Sequence, residues 1–347
     1  MRSKGKFVKV LGVLIFIFVI ILSISNRVMN NRALTKEKKV VRIGVCVYKY
    51  SDTFVSEIMT DMEQLIKEYE KNYNTKVNLD ISDAKESQIV QNEQIQRYIS
   101  LDYDVICVNI VDRTTAATMI DKAIADNIPL VFFNREPVSE DLFRAENIYY
   151  VGSDSKESSI LQGELIVNTY KEQPEILDLD GDGIVEYVML EGEMGHQDSL
   201  IRTEWSVQTL KDYGLSVEKI IGGIANFERN QAAALMEQWL KSYEKDIELI
   251  ICNNDDMALG ASDALEKMKI SNIKVVGIDG TPAGLEAVKA GKMLGTVLCN
   301  AEGHADAIFR IAYSLAVKGT VDETLPIENE RYIRVKLKII TQKDLIE

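Results

Sequence analysis

Val41-Arg42-Ile43-Gly44-Val45-Cys46-Val47 is an apolar run interrupted only by Arg42, and Tyr48-Lys49-Tyr50-Ser51-Asp52-Thr53-Phe54 follows it as a polar turn. The run has no polar alternation, which is the pattern of a strand covered on both faces in a parallel sheet. Residues 54–69 beyond the turn are amphipathic at helical spacing. The turn lacks the G-x-G-x-x-G that would cradle a dinucleotide, and the chain holds neither a P-loop nor a G-x-S-x-G nucleophile elbow.

The same strand-then-helix unit recurs outward from this segment. Strands are expected at 77–81, 104–109 and 129–133, the first of these the weakest because it alternates with polar residues; a helix is expected at 87–100. Further on, strands are expected at 186–190, 216–221, 248–253, 273–278 and 294–298, with helices at 199–213, 229–243, 257–268 and 282–290, the last ended by Gly291. Such βαβ repetition over 347 residues predicts two α/β lobes, each a doubly wound parallel sheet. Ligands of such sheets bind at the carboxyl ends of the strands.

The formal charge of -14 argues against a nucleic-acid partner. Cys46, Cys107, Cys252 and Cys299 form no C-x-x-C pair and read as small buried thiols. At the N-terminus Arg2, Lys4, Lys6 and Lys9 precede the apolar run 10–22, with Ser23 and Ser25 behind it. Residues 1–25 therefore read as a signal peptide or a retained membrane anchor and 26–40 as a tether, so the rest of the chain is expected outside the cytoplasm. No cysteine follows the run to carry a lipid.

Two groups of residues carry chemistry. Asp178, Asp180 and Asp182 stand at positions 1, 3 and 5 of a D-x-D-x-D-G loop, with Gly183 at the sharp turn, the Ile184 carbonyl at position 7 and Glu186 at position 9. That spacing supplies hard oxygen ligands for Ca²⁺, but position 12 is Met189, which leaves the loop one bidentate carboxylate short. The second group lies just past the strand ends: Asp52, Asn134, Asn254 with Asp255, Asp279, and Gly195-His196-Gln197-Asp198 with Arg202 one turn on, so that Asp198 and Arg202 share a helix face. Any one of them fits a helix cap, Asp52 and Asp255 especially. Together they are acceptors and donors suited to vicinal hydroxyls. Tyr48, Phe54 and Phe227 accompany them as rings able to stack on a sugar face, whereas Trp205 and Trp239 read as core.

Several segments resemble the periplasmic galactose/glucose-binding proteins of ABC transporters: 48–54, 132–137, 150–158, 195–198, Asn253-Asn254-Asp255 and Gly277-Ile278-Asp279, in order over about residues 41–340. The resemblance implies the type I periplasmic-binding-protein fold, with three hinge crossings. It divides the chain into an N-terminal lobe of 41–152 plus 300–335 and a C-terminal lobe of 153–299 plus 336–347. It implies that Phe54 and Phe227 sandwich a hexose, and that Asp52, Asn134, His196, Asp198, Arg202, Asn254 and Asp279 bond it. Phe227 stands where the family usually has Trp, and Cys299 where it has a further Asn. The resemblance also supplies Glu248 as the missing Ca²⁺ ligand beside Asp178, Asp180, Asp182, Ile184 and Glu186. The expected protein is a monomer, not an enzyme, that closes on a monosaccharide and delivers it to an ABC permease; the alternative is a tethered sensor serving a histidine kinase or chemoreceptor.

Overall fold

The computed structural model describes residues 40–73 and 75–346; the export segment 1–25 and all of the tether but Val40 lie outside the described residues. The first unit runs β1 (Val40–Val47), α1 (Thr53–Tyr73), β2 (Lys76–Asp83), α2 (Gln88–Ser100), β3 (Val105–Val108), α3 (Ala116–Ala125), β4 (Leu130–Phe133), α4 (Ser139–Leu142) and β5 (Ile148–Gly152). The second runs α5 (Ser155–Glu172), β6 (Val185–Glu191), α6 (Gln197–Asp212), β7 (Val217–Ile224), α7 (Arg229–Tyr243), β8 (Leu249–Cys252), α8 (Asp255–Met268), β9 (Lys274–Val276), α9 (Pro282–Lys289) and β10 (Gly295–Leu298). Then come α10 (Ala301–Lys318), β11 (Tyr332–Arg334), β12 (Lys338–Thr341) and α11 (Gln342–Ile346).

Among the described residues the strands make two six-stranded sheets, ordered β11-β5-β4-β3-β1-β2 and β12-β10-β9-β8-β6-β7. The chain passes between them three times: after β5, after β10 and between β11 and β12. The central strand β1 shows why the apolar run is continuous. Ile43, Val45 and Val47 bury with Ile58, Met59 and Met62 of α1 and Ile308 of α10, while Cys46 buries on the other face with Ile95 and Tyr98 of α2 and Met119 of α3. Gly44 is required there, because a Cβ would stand 2.7 Å from the Tyr98 ring. The alternating segment became the edge strand β2, and an edge needs only one buried row.

Three expectations need correction. The second sheet is not wholly parallel: β12 runs antiparallel to β10, with Gly295 opposite Thr341. β11 runs parallel to β5 and leaves the first sheet at its carboxyl end, where the sheets face each other, and β12 follows after a short link, so it enters the second sheet from that end and runs against β10. Strand β5 was not foreseen, because Tyr149 and Tyr150 break its apolar run; in the sheet Tyr150 is buried and its hydroxyl donates to the Asn134 carbonyl at 2.7 Å. Trp205 is half-buried under the Lys156 ammonium rather than in the core, while Trp239 is buried. No helix among the described residues is long and apolar enough to cross a membrane.

Candidate functional site

The carboxyl ends of both sheets meet at one crevice. On the first lobe, Asp52 caps α1: its Oδ1 accepts the Val55 N–H at 2.8 Å and its Oδ2 accepts the Tyr48 hydroxyl at 2.6 Å. Burial, then the Asp52 charge, push the Tyr48 phenol well up, so it remains a donor. Phe54 opens α1 and meets the His304 ring edge-on, centroids 5.4 Å apart. Asn134 sits after β4 in the left-handed region, φ 58°, its N–H bonded to the Val151 carbonyl at 3.0 Å. Asn109 Nδ2 donates to Asn134 Oδ1 at 3.0 Å, which turns the amide N–H groups of Asn134 toward the crevice.

On the second lobe, His196 caps α6, its Nδ1 accepting the Asp198 N–H at 3.1 Å. Desolvation, followed by the Arg135 charge, lowers its pKa to about 4. The ring is therefore neutral at pH 7, and its proton sits on Nε2. Arg202, 7% exposed, donates from Nη1 to the Asn253 carbonyl at 2.8 Å and to Asp279 Oδ1 at 3.2 Å. Desolvation pushes the Asp279 carboxyl up, Arg202 pulls against it, and Asp255 and Asp52 add to the push. Asn254 caps α8 through Met257 N at 2.9 Å, and its Nδ2 donates to the Phe227 carbonyl at 3.4 Å. Phe227, φ 59°, packs over Gly192, where a Cβ would lie 2.0 Å from its ring, and meets His196 edge-on at 5.4 Å.

All nine residues expected to bind a sugar, Asp52, Phe54, Asn134, His196, Asp198, Arg202, Phe227, Asn254 and Asp279, line this crevice. Tyr48 and Arg135 complete the lining. Asp255 does not reach it; it is wholly buried behind, accepting Thr281 N at 2.8 Å and Thr296 Oγ1 at 2.6 Å. The helix face shared by Asp198 and Arg202 did not make them an ion pair: the guanidinium reaches past the N-terminus of α6 to the ends of β8 and β9 and pairs with Asp279. Asn109, whose side chain orients Asn134, and Asn253, whose backbone carbonyl accepts from Arg202 and whose side chain accepts Gly192 N and Ser199 Oγ, were taken as strand ends, and they carry the same signal as the lining residues, a polar residue at the end of an apolar run. Cys299 is 1% exposed and is not among the lining residues.

The acidic loop is a separate cluster. Glu248, 4% exposed, enters from just before β8, and its Oε1 accepts the N–H groups of Leu179 and Asp180, its Oε2 that of Glu186 at 3.1 Å. Carboxylate oxygens of Asp178, Asp180 and Glu248 lie within 4.8 Å of one another. Asp182 Oδ1 accepts Ile184 N at 2.8 Å, closing the loop on itself. No Lys or Arg among the described residues forms an ion pair with this cluster. Clustered hard oxygens with no cationic side chain fit a divalent cation such as Ca²⁺.

Known proteins resemble the chain over most of its length. A D-galactose/methyl-galactoside binding periplasmic protein of Haemophilus influenzae is 34% identical over 296 residues, 85% of this chain and 87% of that protein. A xylitol-binding protein of Mycolicibacterium smegmatis is 28% identical over 286 residues, 82% of this chain and 75% of that one. An ABC transporter solute binding protein of Bacillus halodurans, solved with bound myo-inositol, superposes with a TM-score of 0.73 at 29% identity, over 90% of this chain and 98% of its own. The periplasmic binding protein domain matches residues 43–320. With two lobes, three crossings and a polar crevice at the facing strand ends, the chain belongs to the periplasmic binding protein family.

Proposed function

We propose that the chain is an exported receptor that shuts around a hexose-sized neutral polyol, galactose- or glucose-like, and hands it to an ABC permease. The observation that carries this is the crevice itself: carboxylates, amides, two guanidiniums, a neutral imidazole, a phenol and two phenyl rings, drawn from both lobes. Carboxylates accept two hydroxyls at once and amides accept and donate, which matches vicinal diols. Phe54 and Phe227 are assigned to the ring faces. Asp52 and Asn134 are assigned to hydroxyls on one side; His196 through Nε2–H, with Asp198, Arg202, Asn254 and Asp279, to those on the other. Among the described residues the buried Arg202 Nε has no acceptor, in keeping with an acceptor that arrives with the ligand.

The ligand bridges two half-sites and shifts the population toward the closed form. Asp52 is tied to Tyr48 and Val55, and Asp279 to Arg202, so we read these carboxylates as fixed acceptors in a binding site rather than as an acid–base pair. Arg135 pairs with Glu193 and Arg202 with Asp279, so among the described residues Asp52 and Asp198 form no ion pair, which disfavours an anionic sugar. The three relatives described above are named for, or hold, uncharged polyols.

We assign Ca²⁺ to Asp178, Asp180, Asp182, the Ile184 carbonyl, Glu186 and Glu248, where the ion would neutralise the clustered carboxylates and fix the loop ahead of β6. We read residues 1–25 as the export segment, cleaved as a signal peptide or retained as an anchor, and the exported protein as a monomer.

Titration calorimetry with galactose, glucose, ribose, xylitol, myo-inositol and galacturonate tests the reading. Saturable binding of a neutral member, with galacturonate at least about a hundredfold weaker, is expected. No heat from any of the six refutes it.

A further inference from the structure

Arg135 and Glu193 meet across the crevice, Arg135 from the first lobe and Glu193 from the second. The guanidinium Nη2 donates to Glu193 Oε1 at 2.6 Å, with the two side chains 8% and 26% exposed. Each sits beside candidate ligand residues. Arg135 follows Asn134 directly, and Glu193 opens the turn that carries His196 and Asp198. That turn is closed by His196 N donating to the Glu193 carbonyl at 3.2 Å, with Gly195 at φ +76°. The Arg135 guanidinium also lies 3.4 Å over the Tyr48 ring, whose hydroxyl holds Asp52. A line of contacts thus runs from the second lobe through Glu193, Arg135 and Tyr48 to the Asp52 carboxylate.

Two weaker ties repeat the polarity. Lys49 pairs with Glu228, and Thr53 Oγ1 donates to Asp256 Oδ2 at 2.5 Å. In all three the donor stands on the first lobe and the carboxylate on the second.

We infer that Arg135 and Glu193 form an inter-lobe clasp that sets affinity by registering one half-site against the other. They are positioning residues, and the inference rests on the polyol reading above. Opening the lobes returns both charges to water, whereas closing pairs them in a desolvated place, where a charge pair is most geometrically selective. The clasp raises the closed fraction before any ligand arrives, and apparent affinity scales with the fraction of molecules competent to bind. Because each partner is one to five residues from ligand-facing groups, a displaced clasp displaces Asn134, His196 and Asp198 with it.

The test compares wild type, Glu193→Gln, Arg135→Met and the double variant of the exported protein. Each is titrated with the panel member that wild type binds most tightly, and each is measured ligand-free by small-angle scattering. Glu193 does not line the crevice, so Glu193→Gln is the cleaner of the two single changes. We expect each single variant to raise Kd at least about tenfold, and the double variant to lose no more than the worse single. The ligand-free radius of gyration of Glu193→Gln should exceed that of wild type, with the urea midpoint unchanged. Kd within about twofold of wild type in Glu193→Gln, or losses that simply add in the double variant, overturn the clasp. If wild type binds nothing in the panel, the polyol reading fails, and the scattering comparison still decides the clasp: equal radii overturn it.

Discussion

Replacing Asp279 by Asn tests the electrostatic centre of the crevice. Arg202 and Asp279 are each 7% exposed and 3.2 Å apart, and among the described residues the guanidinium has one other acceptor, the Asn253 backbone carbonyl. Removing one partner of a buried pair leaves the other charge uncompensated and costs about 3–5 kcal/mol, whereas replacing both by apolar groups is often neutral. Asn keeps an acceptor oxygen near Nη1, which puts Asp279→Asn near the lower end, about 3 kcal/mol. Arg202→Met costs less, about 2 kcal/mol, since the orphaned carboxyl escapes its burial by taking up a proton. The double variant should then recover at least about 2 kcal/mol of the summed loss. The assay is urea unfolding at pH 7 without ligand, followed by tryptophan fluorescence, since both tryptophans, Trp205 and the buried Trp239, stand on helices of the same lobe. Sugar titration runs alongside, and all three variants lose binding. A cost below about 1 kcal/mol for Asp279→Asn, or additive losses in the double variant, would show that water screens the pair and would refute the reasoning.

Other outcomes follow from the same structure. Gly192→Ala puts a Cβ 2.0 Å from the Phe227 ring and displaces it, so Kd for the sugar should rise by roughly tenfold or more in calorimetry; an unchanged Kd refutes the stacking role of Phe227. Chelation with EDTA should lower the thermal midpoint, and Ca²⁺ at a hundredfold over its Kd should restore about 2.7 kcal/mol, an effect abolished by Glu248→Gln; equal midpoints with and without Ca²⁺ refute the metal site. His196 and His304 are the chain's two histidines, and burial lowers each to about 4. Neither imidazole NMR signal should titrate between pH 8 and 5.5, and a midpoint near 6.5 for either contradicts its burial. For His304 the unfolded chain takes up its proton near 6.5 and the folded chain only near 4. Stability is therefore lost as pH falls through that window, by about 3 kcal/mol relative to His304→Gln, read from urea unfolding at pH 7.5 and 4.

The sequence by itself determined the two sheets and most of the crevice wall. Runs such as 41–47 and 248–253 are apolar because both faces of each strand are covered, and that burial depends on local composition. The polar residues that follow those runs were legible because strand ends of parallel sheets gather ligands. Asp52, His196 and Asn254 could be read as helix caps or as crevice residues, and the two do not exclude one another: each caps its helix with one atom and also lines the crevice. Tertiary structure alone decided the partners. Arg202 was spaced for Asp198 and found Asp279, 77 residues away; Arg135 found Glu193, 58 residues away. Helical spacing fixes which residues share a face, but a long guanidinium swings to whichever carboxylate is buried beside it, and that is set by how distant strands and lobes pack.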